Sequence, residues 1–538
     1  MPAKEHILAI DVGTTNAKAA VFHESGRLLA VEGYEYPTHV PRPGWAEQDP
    51  EDWWNYAVLA ARDAVKRAKA SPDSFIGISV SSQRETLALL DREGRSLGRV
   101  PIWMDRRSLP QAERIKQVLG LREVYERTGL VVDPTFTATK LLWLKENNKE
   151  LLDRAWVGLQ VKDYIVYKLT GIAVTDETVA SRTMLFNIRE RRWDDRLISE
   201  LGLSDYAHIL PEVKRSWEVV GSVREEAARL IGVAPGTPVV AGTGDRTAEV
   251  LGAGILGPER AEESTGTGST TATMVPEPLL DAKMRFSVGV APVPGRWVVE
   301  AGISTAGAIL RWFRDHATDG VDYLASRTRR RAYEFLDMEA EYVPPGSGGI
   351  IVLPFFSGAR SPRWNPNARG VIFGVTVFHT RAHIFRALME GVAYEVRKIL
   401  ESLEEVGIKP RELVLMGGGA KTPTWARIKA NVIKREVIIP ELLDAALGGD
   451  AALVAYGTGT CGSFEEAVSR FFREKARIRP DPRVAAIYDK YYEIYEKLYA
   501  ALEPLFDEIS KIGEVTAEPP PWDIENLVHL SLIHISEP

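Results

Sequence analysis

Short apolar runs that stop abruptly at polar, glycine-containing turns punctuate this chain and divide it into strands and helices. Residues 7–22, ILAIDVGTTNAKAAVF, are two such runs joined by Gly13-Thr14-Thr15, which predicts a hairpin with Asp11 closing its first strand. Residues 28–49 continue that sheet into a proline-rich connection, and Asp49-Pro50-Glu51 has the chemistry of a helix start. A helix over 51–70 then leads to strands at 75–81 and 86–90. Helices are predicted at 108–119, 121–128, 137–147 and 156–169, a layer inserted over the first sheet, whereas 176–188 mixes strand and turn residues.

A second set of elements opens with the apolar run at 238–241, the glycine-rich 242–244, Asp245 and a short helix over 248–251. Residues 261–275, AEESTGTGSTTATMV, echo the opening hairpin. Strands follow at 283–290 and 297–302, a helix at 307–314, strands at 349–354 and 371–376, and a helix at 381–406. A strand at 412–416 runs into GGGAKT (417–422) and helices at 423–433 and 444–456. The last helix, 484–512, aligns Ile487, Tyr491, Ile494, Leu498, Leu502, Leu505 and Ile509 on a stripe predicted to pack on the core, with Pro504 bending or breaking it. The echo between the two hairpins predicts an internal duplication, with a ligand in the cleft between two lobes.

Composition narrows the picture. A length of 538 residues calls for more than one domain, and 45% hydrophobic with 26% charged residues describes a soluble globular protein. A net charge of −7 gives no reason to expect nucleic acid or an anionic membrane as partner. One cysteine, Cys461, rules out an internal disulfide and suits a reducing compartment; with no signal-peptide pattern, a cytoplasmic protein is expected. The closing VHLSLIHISEP shares no periodicity with what precedes it and reads as non-native sequence. The expected division is a first lobe over 1–250, a second over 251–512, and a disordered tail over 513–538, the family resemblance described below implying sugar binding for the first lobe and nucleotide binding for the second.

Candidate chemistry collects at the turns. Consecutive amides in the Gly13-Thr15 turn suit phosphate, and Asp11 beside them makes sense if a divalent cation intervenes; the turn could equally be an ordinary one. Arg84-Glu85, at a strand end, is either a structural ion pair or a clamp on hydroxyls. In WMDRR (103–107), Trp103 could cover a carbon skeleton while Asp105 accepts hydroxyl hydrogen bonds, or the tryptophan could finish the core with solvated charges around it. Asp245 suits a helix cap, yet the Gly-Thr-Gly before it is more permissive than a cap requires. GGGAKT lacks Walker A spacing; its glycines would let a nucleoside lie against the backbone, or it is a plain βα turn.

Taken in order, these motifs resemble the FGGY family of carbohydrate kinases over about residues 7–510. The resemblance implies a duplicated, two-lobed α/β fold of the ribonuclease H-like, actin-like ATPase type, with the active site between the lobes. It implies transfer of the γ-phosphate of ATP, with Mg2+, to a hydroxyl of a small sugar or polyol. By resemblance Asp11 organises the metal, Gly13, Thr14 and Thr15 contact the transferred phosphate, and Asp245 is the general base. Gly266 and Thr267 form the second phosphate turn, Gly307 lies near the β-phosphate, and Gly418, Gly419, Ala420 and Lys421 hold the nucleoside.

Subfamily motifs are mixed. SSQRET (81–86), WMDRR, GLVVDPTF (129–136) and TDETVASRTMLFNI (175–188) resemble glycerol kinase, in which Arg84, Glu85, Trp103 and Asp245 would contact glycerol. The tyrosine expected there is Thr135, and the glutamine expected after the base is Arg246. FTATKLLWLKEN (136–147), AGAILRWFRD (306–315) and SGARSPRWNPNARGVIFGVT (357–376) resemble xylulokinase. Both departures point to an acceptor longer than glycerol or richer in acceptor oxygens, a four- or five-carbon polyol or ketose or an acidic sugar. Glycerol kinase, xylulokinase proper, a non-catalytic actin-like ATPase or sensor, and a polymerising protein remain as alternatives, with homo-oligomerisation open.

Overall fold

In the computed structural model, residues 4–318, 320–328 and 330–512 are described; the predicted tail lies outside them. The opening apolar runs become β1 (His6–Val12) and β2 (Asn16–His23), which continue antiparallel into β3 (Leu28–Glu35). Helix α1 (Pro50–Ala68) starts on Asp49, whose side chain accepts from the Glu51 amide, and buries Trp53, Trp54 and an alanine stripe on the sheet. Strand β4 (Phe75–Ser82), buried along its whole length, lies parallel to β1. With β5 (Val219–Ser222), β6 (Pro238–Val240) and β7 (Thr243–Gly244) the sheet reaches seven strands, in the order β5-β6-β4-β1-β2-β3 with β7 also against β4. Helix α2 (Asp245–Gly252) follows directly.

The second sheet repeats that plan. Strands β8 (Arg260–Thr265) and β9 (Ser269–Val275) form the predicted second hairpin; β10 (Ser287–Val290) and β11 (Trp297–Ile303) extend it antiparallel. Helices α3 (Gly307–Ala317), α4 (Ala332–Glu341) and α5 (Arg381–Glu405) precede β12 (Glu412–Gly417), which is parallel to β8 as β4 is to β1. After α6 (Pro423–Ile433), β13 (Glu436–Pro440) and β14 (Glu474–Ile478) complete the order β10-β11-β9-β8-β12-β13-β14. Each lobe therefore has a run of antiparallel strands whose first strand takes a parallel neighbour, although in the second lobe β9 pairs with β11 rather than with β10.

Helices α2 and α7 (Ala445–Gly457) pack together between the lobes. Their backbones touch: a Cβ on Gly252 would stand 1.9 Å from the Ala445 carbonyl oxygen, and one on Gly449 2.0 Å from that of Ala248. One apolar cluster joins Ile7, Ala9 and Phe22 of the first sheet to Leu447, Ala451 and Val454 of α7 and to Val414 and Met416 of the second sheet.

Three expectations fail for physical reasons. Residues 156–169 are not one helix: Val157–Gln160 is a buried strand paired with Leu87–Leu90, and the helix is Val161–Thr170. Cross-strand pairing overrides a periodicity too short to separate the two states. The last helix, α8 (Pro482–Lys511), runs through Pro504 unbroken and buries a different stripe, Ala485, Tyr488, Tyr492, Tyr495, Tyr499 and Phe506. Ile494 and Ile509 are 45% and 54% exposed, while Tyr491, Leu498 and Leu502 are partly covered. The tyrosines go inside because carboxylates of α5 meet their hydroxyls: Tyr488 donates to Glu390 at 2.8 Å, Tyr492 to Glu401 at 2.7 Å and Tyr495 to Glu395 at 2.6 Å. Asp105 is fully buried, accepting from the Ala46 amide and the Arg107 guanidinium, so it braces the fold and is neither solvated nor open to a ligand.

Among the described residues no helix is long and apolar enough to cross a membrane.

Candidate active site

The two hairpin turns are wired alike. In the first, the Gly13 carbonyl accepts from the Tyr36 hydroxyl, that of Thr14 from the Gln48 amide group at 2.7 Å, and that of Thr15 from the Tyr36 amide at 3.1 Å. In the second, the Gly266 carbonyl accepts from the Gly307 amide at 3.1 Å, and the Thr267 carbonyl from the amides of Ala306 (2.9 Å) and Ala308 (3.0 Å). The amides of Thr14, Thr15, Thr267 and Gly268 donate to no described residue. Carbonyls tied back and amides left outward make an anion-binding surface on each lobe. Gly307 has a steric reason: a Cβ there would lie 2.3 Å from the Gly266 carbonyl oxygen and prevent the start of α3 from bonding the turn.

Asp11, closing β1, and Asp245, the first residue of α2, face each other closely enough to repel. Burial, then the Asp245 charge, pushes Asp11 up to about 7, although Lys18 and a 3.1 Å hydrogen bond from Ser81 work the other way. Burial also raises Asp245, against the opposing pull of Arg84 and Arg246. One Asp245 oxygen lies 3.3 Å from Arg84 Nε and accepts from the Arg246 amide at 2.7 Å; the other has no partner among the described residues. Asp450, buried on α7 and bonded to Ser79 at 2.6 Å, is pushed well up by burial and further by the Asp11 charge. Its motif, AALGGDAALVAY, signalled only close packing.

On the other side of Asp245 the cleft is lined by ion pairs. Arg84 forks onto both carboxylate oxygens of Glu300 at 3.0 Å, which holds that carboxyl well below the usual range. Glu85 accepts from Arg182 at 2.6 Å, and its backbone is left-handed at φ 60°. Buried Lys140 steadies this stretch by donating to the carbonyls of Glu85 (2.6 Å) and Thr135 (2.8 Å); burial lowers its ammonium to about 7. Thr135 itself hydrogen-bonds Asp133 at 2.5 Å, and Asp133 pairs with Arg106 at 2.9 Å. Trp103 donates to the Thr14 hydroxyl at 2.8 Å, which joins the WMDRR segment to the first turn. Arg246 is engaged by Glu249 at 2.5 Å rather than left as a free fork. Arg182, Glu300 and Arg360, also in this cleft, carried no local spacing signal.

In the second lobe, a cavity of about 650 Å³ brings together Gly266, Thr267, Gly307, Gly418, Gly419 and Lys421. Ala420, expected with them, packs against the core instead. Tyr333, Asp337 and Met338 of α4 form the opposite wall and were not anticipated. Beneath the floor lies a buried ion pair: Lys429 bonds Glu263 and the Thr265 hydroxyl (2.8 Å), and Glu263 also accepts from Thr265 (2.6 Å) and Ser269. Lys429 sits over the Trp425 ring, 4.4 Å from its centroid, and 3.2 Å from where a Gly419 Cβ would be. This pair braces the second turn and the glycine loop together.

Comparison with known proteins follows the same division. The model of the FGGY family of carbohydrate kinases, N-terminal domain, matches residues 6–252, and that of its C-terminal domain matches 262–458. A glycerol kinase of Thermococcus gammatolerans is 33% identical over 88% of this chain and 93% of its own length. A gluconokinase of Bacillus subtilis is 30% identical over 95% of this chain and 96% of its own. The crystal structure of a xylulose kinase from Rhodospirillum rubrum superposes with a TM-score of 0.84 at 27% identity, over 93% of this chain and all (100%) of that one.

Proposed function

We propose, from the premise that the chain belongs to the FGGY family of carbohydrate kinases, an acceptor longer than glycerol and Asp245 as its general base. The protein is an ATP-dependent phosphotransferase acting on a small polyol or sugar. The repeated hairpin whose first strand takes a parallel neighbour, with helices between the lobes, supports the duplicated ribonuclease H-like, actin-like form of the fold. The observation that carries the reading is the pair of turns whose carbonyls are tied back in each lobe, together with the facing Asp11 and Asp245.

In this reading the nucleoside lies in the 650 Å³ cavity against Gly418 and Gly419, and the outward amides of both turns hold the phosphates. Arg84 fixes one Asp245 oxygen, and the other accepts the proton of the attacking hydroxyl. The raised affinity of Asp245 for a proton suits that task, and Trp103 covers the acceptor's carbons beside the first turn. Closure of the lobes would exclude water, so ATP hydrolysis without acceptor is slow.

Mg2+ fits the donor set. Two repelling carboxylates, with Asp11 held up to about 7, are what a divalent cation relieves, and Mg2+ commonly takes few protein ligands beside water and phosphate. Asp11 would hold the ion, which supplies neutralising charge for the transferring group.

The acceptor separates the subfamily readings. The glycerol kinase and gluconokinase relatives and the xylulose kinase structure support the range without choosing within it. The test is acceptor-dependent ADP release with glycerol, erythritol, ribitol, D-xylulose, D-ribulose and gluconate. A rate that depends on one acceptor supports the kinase, whereas acceptor-independent hydrolysis supports the non-catalytic ATPase. Near-normal turnover by Asp245→Ala would sink the base assignment; the expected fall is about 10²- to 10⁴-fold.

A further inference from the structure

Away from the cleft, a second cavity of about 440 Å³ is walled by both lobes. The first lobe gives Phe22, Arg27 and Leu28, around the turn between β2 and β3. The second gives Glu441 and Leu442, just after β13, with Phe471 and Arg473, just before β14. None of these residues lines the cavity around Gly418 and Gly419. Phe22 stands six residues along β2 from Asn16, which follows the first hairpin turn, so roughly 20 Å of strand separates the two places.

Backbone contacts hold both walls. The His23 amide donates to the Arg27 carbonyl and the Gly26 amide to the His23 carbonyl, each at 2.9 Å, which closes the turn. Gly26, at φ 89°, lies so near the second lobe that a Cβ there would fall 1.7 Å from the Arg470 carbonyl oxygen. In the other wall the Glu441 amide donates to the Arg473 carbonyl at 2.9 Å. The floor also joins the lobes: the buried Phe22 and Phe471 rings meet edge to face, with centroids 5.6 Å apart. The hollow is therefore built before anything enters it.

Its side chains are uncommitted. Arg27 and Arg473, one from each lobe, are exposed, and neither guanidinium hydrogen-bonds or ion-pairs with any described residue. The Glu441 carboxylate is equally without a partner among them. Leu28 is 40% exposed and Leu442 half-buried, so apolar surface faces the hollow from both sides. Two guanidiniums call for an anion, and phosphate oxygens accept a forked bond from each. The leucines and rings call for a flat apolar body, and Glu441 for an N–H or O–H donor on it. A bare anion would leave the floor uncovered, and a sugar phosphate has no flat apolar face to lay on it.

We propose that this cavity is a second ligand site, for a nucleoside monophosphate whose phosphate docks on Arg27 and Arg473. The base lies over Leu28 and Leu442, and its amino group or the ribose hydroxyls donate to Glu441. The volume suits a ligand of that size. Held by one arginine of each lobe, the nucleotide ties the lobes together from outside the cleft. The proposal goes beyond the phosphotransferase reading and does not depend on it.

The test is calorimetric titration of the full chain with AMP, adenosine and inorganic phosphate. The second-lobe cavity is expected to take AMP as well, so wild type should show two classes of AMP site. Arg27→Gln and Arg473→Gln should each weaken one class about 10- to 100-fold and leave the other in place. Adenosine and phosphate should each bind the affected class at least about tenfold more weakly than AMP. Because both side chains are exposed and lie outside the cleft, melting temperature without ligand and acceptor-dependent ADP release without AMP should match wild type. AMP binding that is identical in wild type and both variants, or no AMP binding at all, overturns the proposal. So does phosphate binding as tightly as AMP, which marks an anion contact only, and so does a matching loss of kcat/KM without AMP, which puts the arginines in the cleft. Each of these leaves the kinase reading standing; that reading falls only if no acceptor supports ADP release.

Discussion

The buried pair under the second-lobe cavity can be broken in a controlled way. Lys429 and Glu263 are both wholly inaccessible to solvent, so Lys429→Met leaves a carboxylate in the interior with only the Thr265 and Ser269 hydroxyls for company. Removing one partner of such a pair costs about 3–5 kcal/mol, and for two lobes that unfold as one unit that is a fall of roughly 3–5 °C in melting temperature. Glu263→Gln should cost less, because burial already lowers the proton affinity of Lys429 and the lysine can become neutral when its counterion goes. The double variant should recover most of the loss, since the introduced carboxamide keeps an oxygen for both hydroxyls and the methionine fills the lysine's stem volume over Trp425. The assay is a double-mutant cycle by thermal and denaturant unfolding, with KM for ATP measured alongside. A single-variant loss below about 1 kcal/mol, or a double variant as unstable as the sum of the singles, would refute the reasoning. KM for ATP should rise about tenfold in Lys429→Met, because Thr265 and the glycine loop lose their shared brace.

Other outcomes follow from the cleft. Asp11 is held above its ordinary 3.8, up to about 7, so its contribution to stability is full below about pH 4 and is lost as pH rises through 7. Asp11→Asn should therefore raise the melting temperature at pH 8 without divalent cations but hardly at pH 4, while turnover collapses; an equal shift at both pH values contradicts this. Gly307→Ala sets a methyl group 2.3 Å from the Gly266 carbonyl oxygen, and KM for ATP should rise at least about tenfold with only a modest loss of stability. Thr135→Tyr with Arg246→Gln narrows the pocket and removes the Arg246–Glu249 pair, so glycerol should gain about tenfold in kcat/KM relative to ribitol; an unchanged ranking rejects the pocket argument.

Local pattern was enough to single out the residues of the second-lobe cavity. A hairpin, a glycine loop and an acid at a helix start are each written within ten or so consecutive residues, and Gly266, Thr267, Gly307, Gly418, Gly419 and Lys421 do meet in one cavity. The ion-paired part of the cleft was less legible, because Arg84, Arg182, Glu300 and Arg360 are far apart in sequence and meet only through tertiary packing. Asp105 misled because a carboxylate beside a tryptophan looks the same whether it faces ligand or the interior; Arg107 and the Ala46 amide decide it. The last helix misled because aliphatic residues outrank tyrosine by hydropathy, yet Glu390, Glu395 and Glu401 supply what each tyrosine hydroxyl needs to go inside.

The contact between α2 and α7 bears on whether the halves could live apart. Each half repeats the other's strand plan, which invites the thought of two modules that could be expressed singly. Yet Leu447, Ala451 and Val454, from the far end of the second half, cover Ile7, Ala9 and Phe22 of the first. A fragment ending at residue 252 would lack α7 and bare one face of its only large sheet, an aggregation hazard rather than a domain. Gly252 and Gly449 let the two helices approach to backbone contact, so the seam leaves no room to insert side chains that would seal each half separately. Whatever its ancestry as a repeat, the chain has become a single heritable unit, and the seam that makes it so runs along the helix that Asp245 opens.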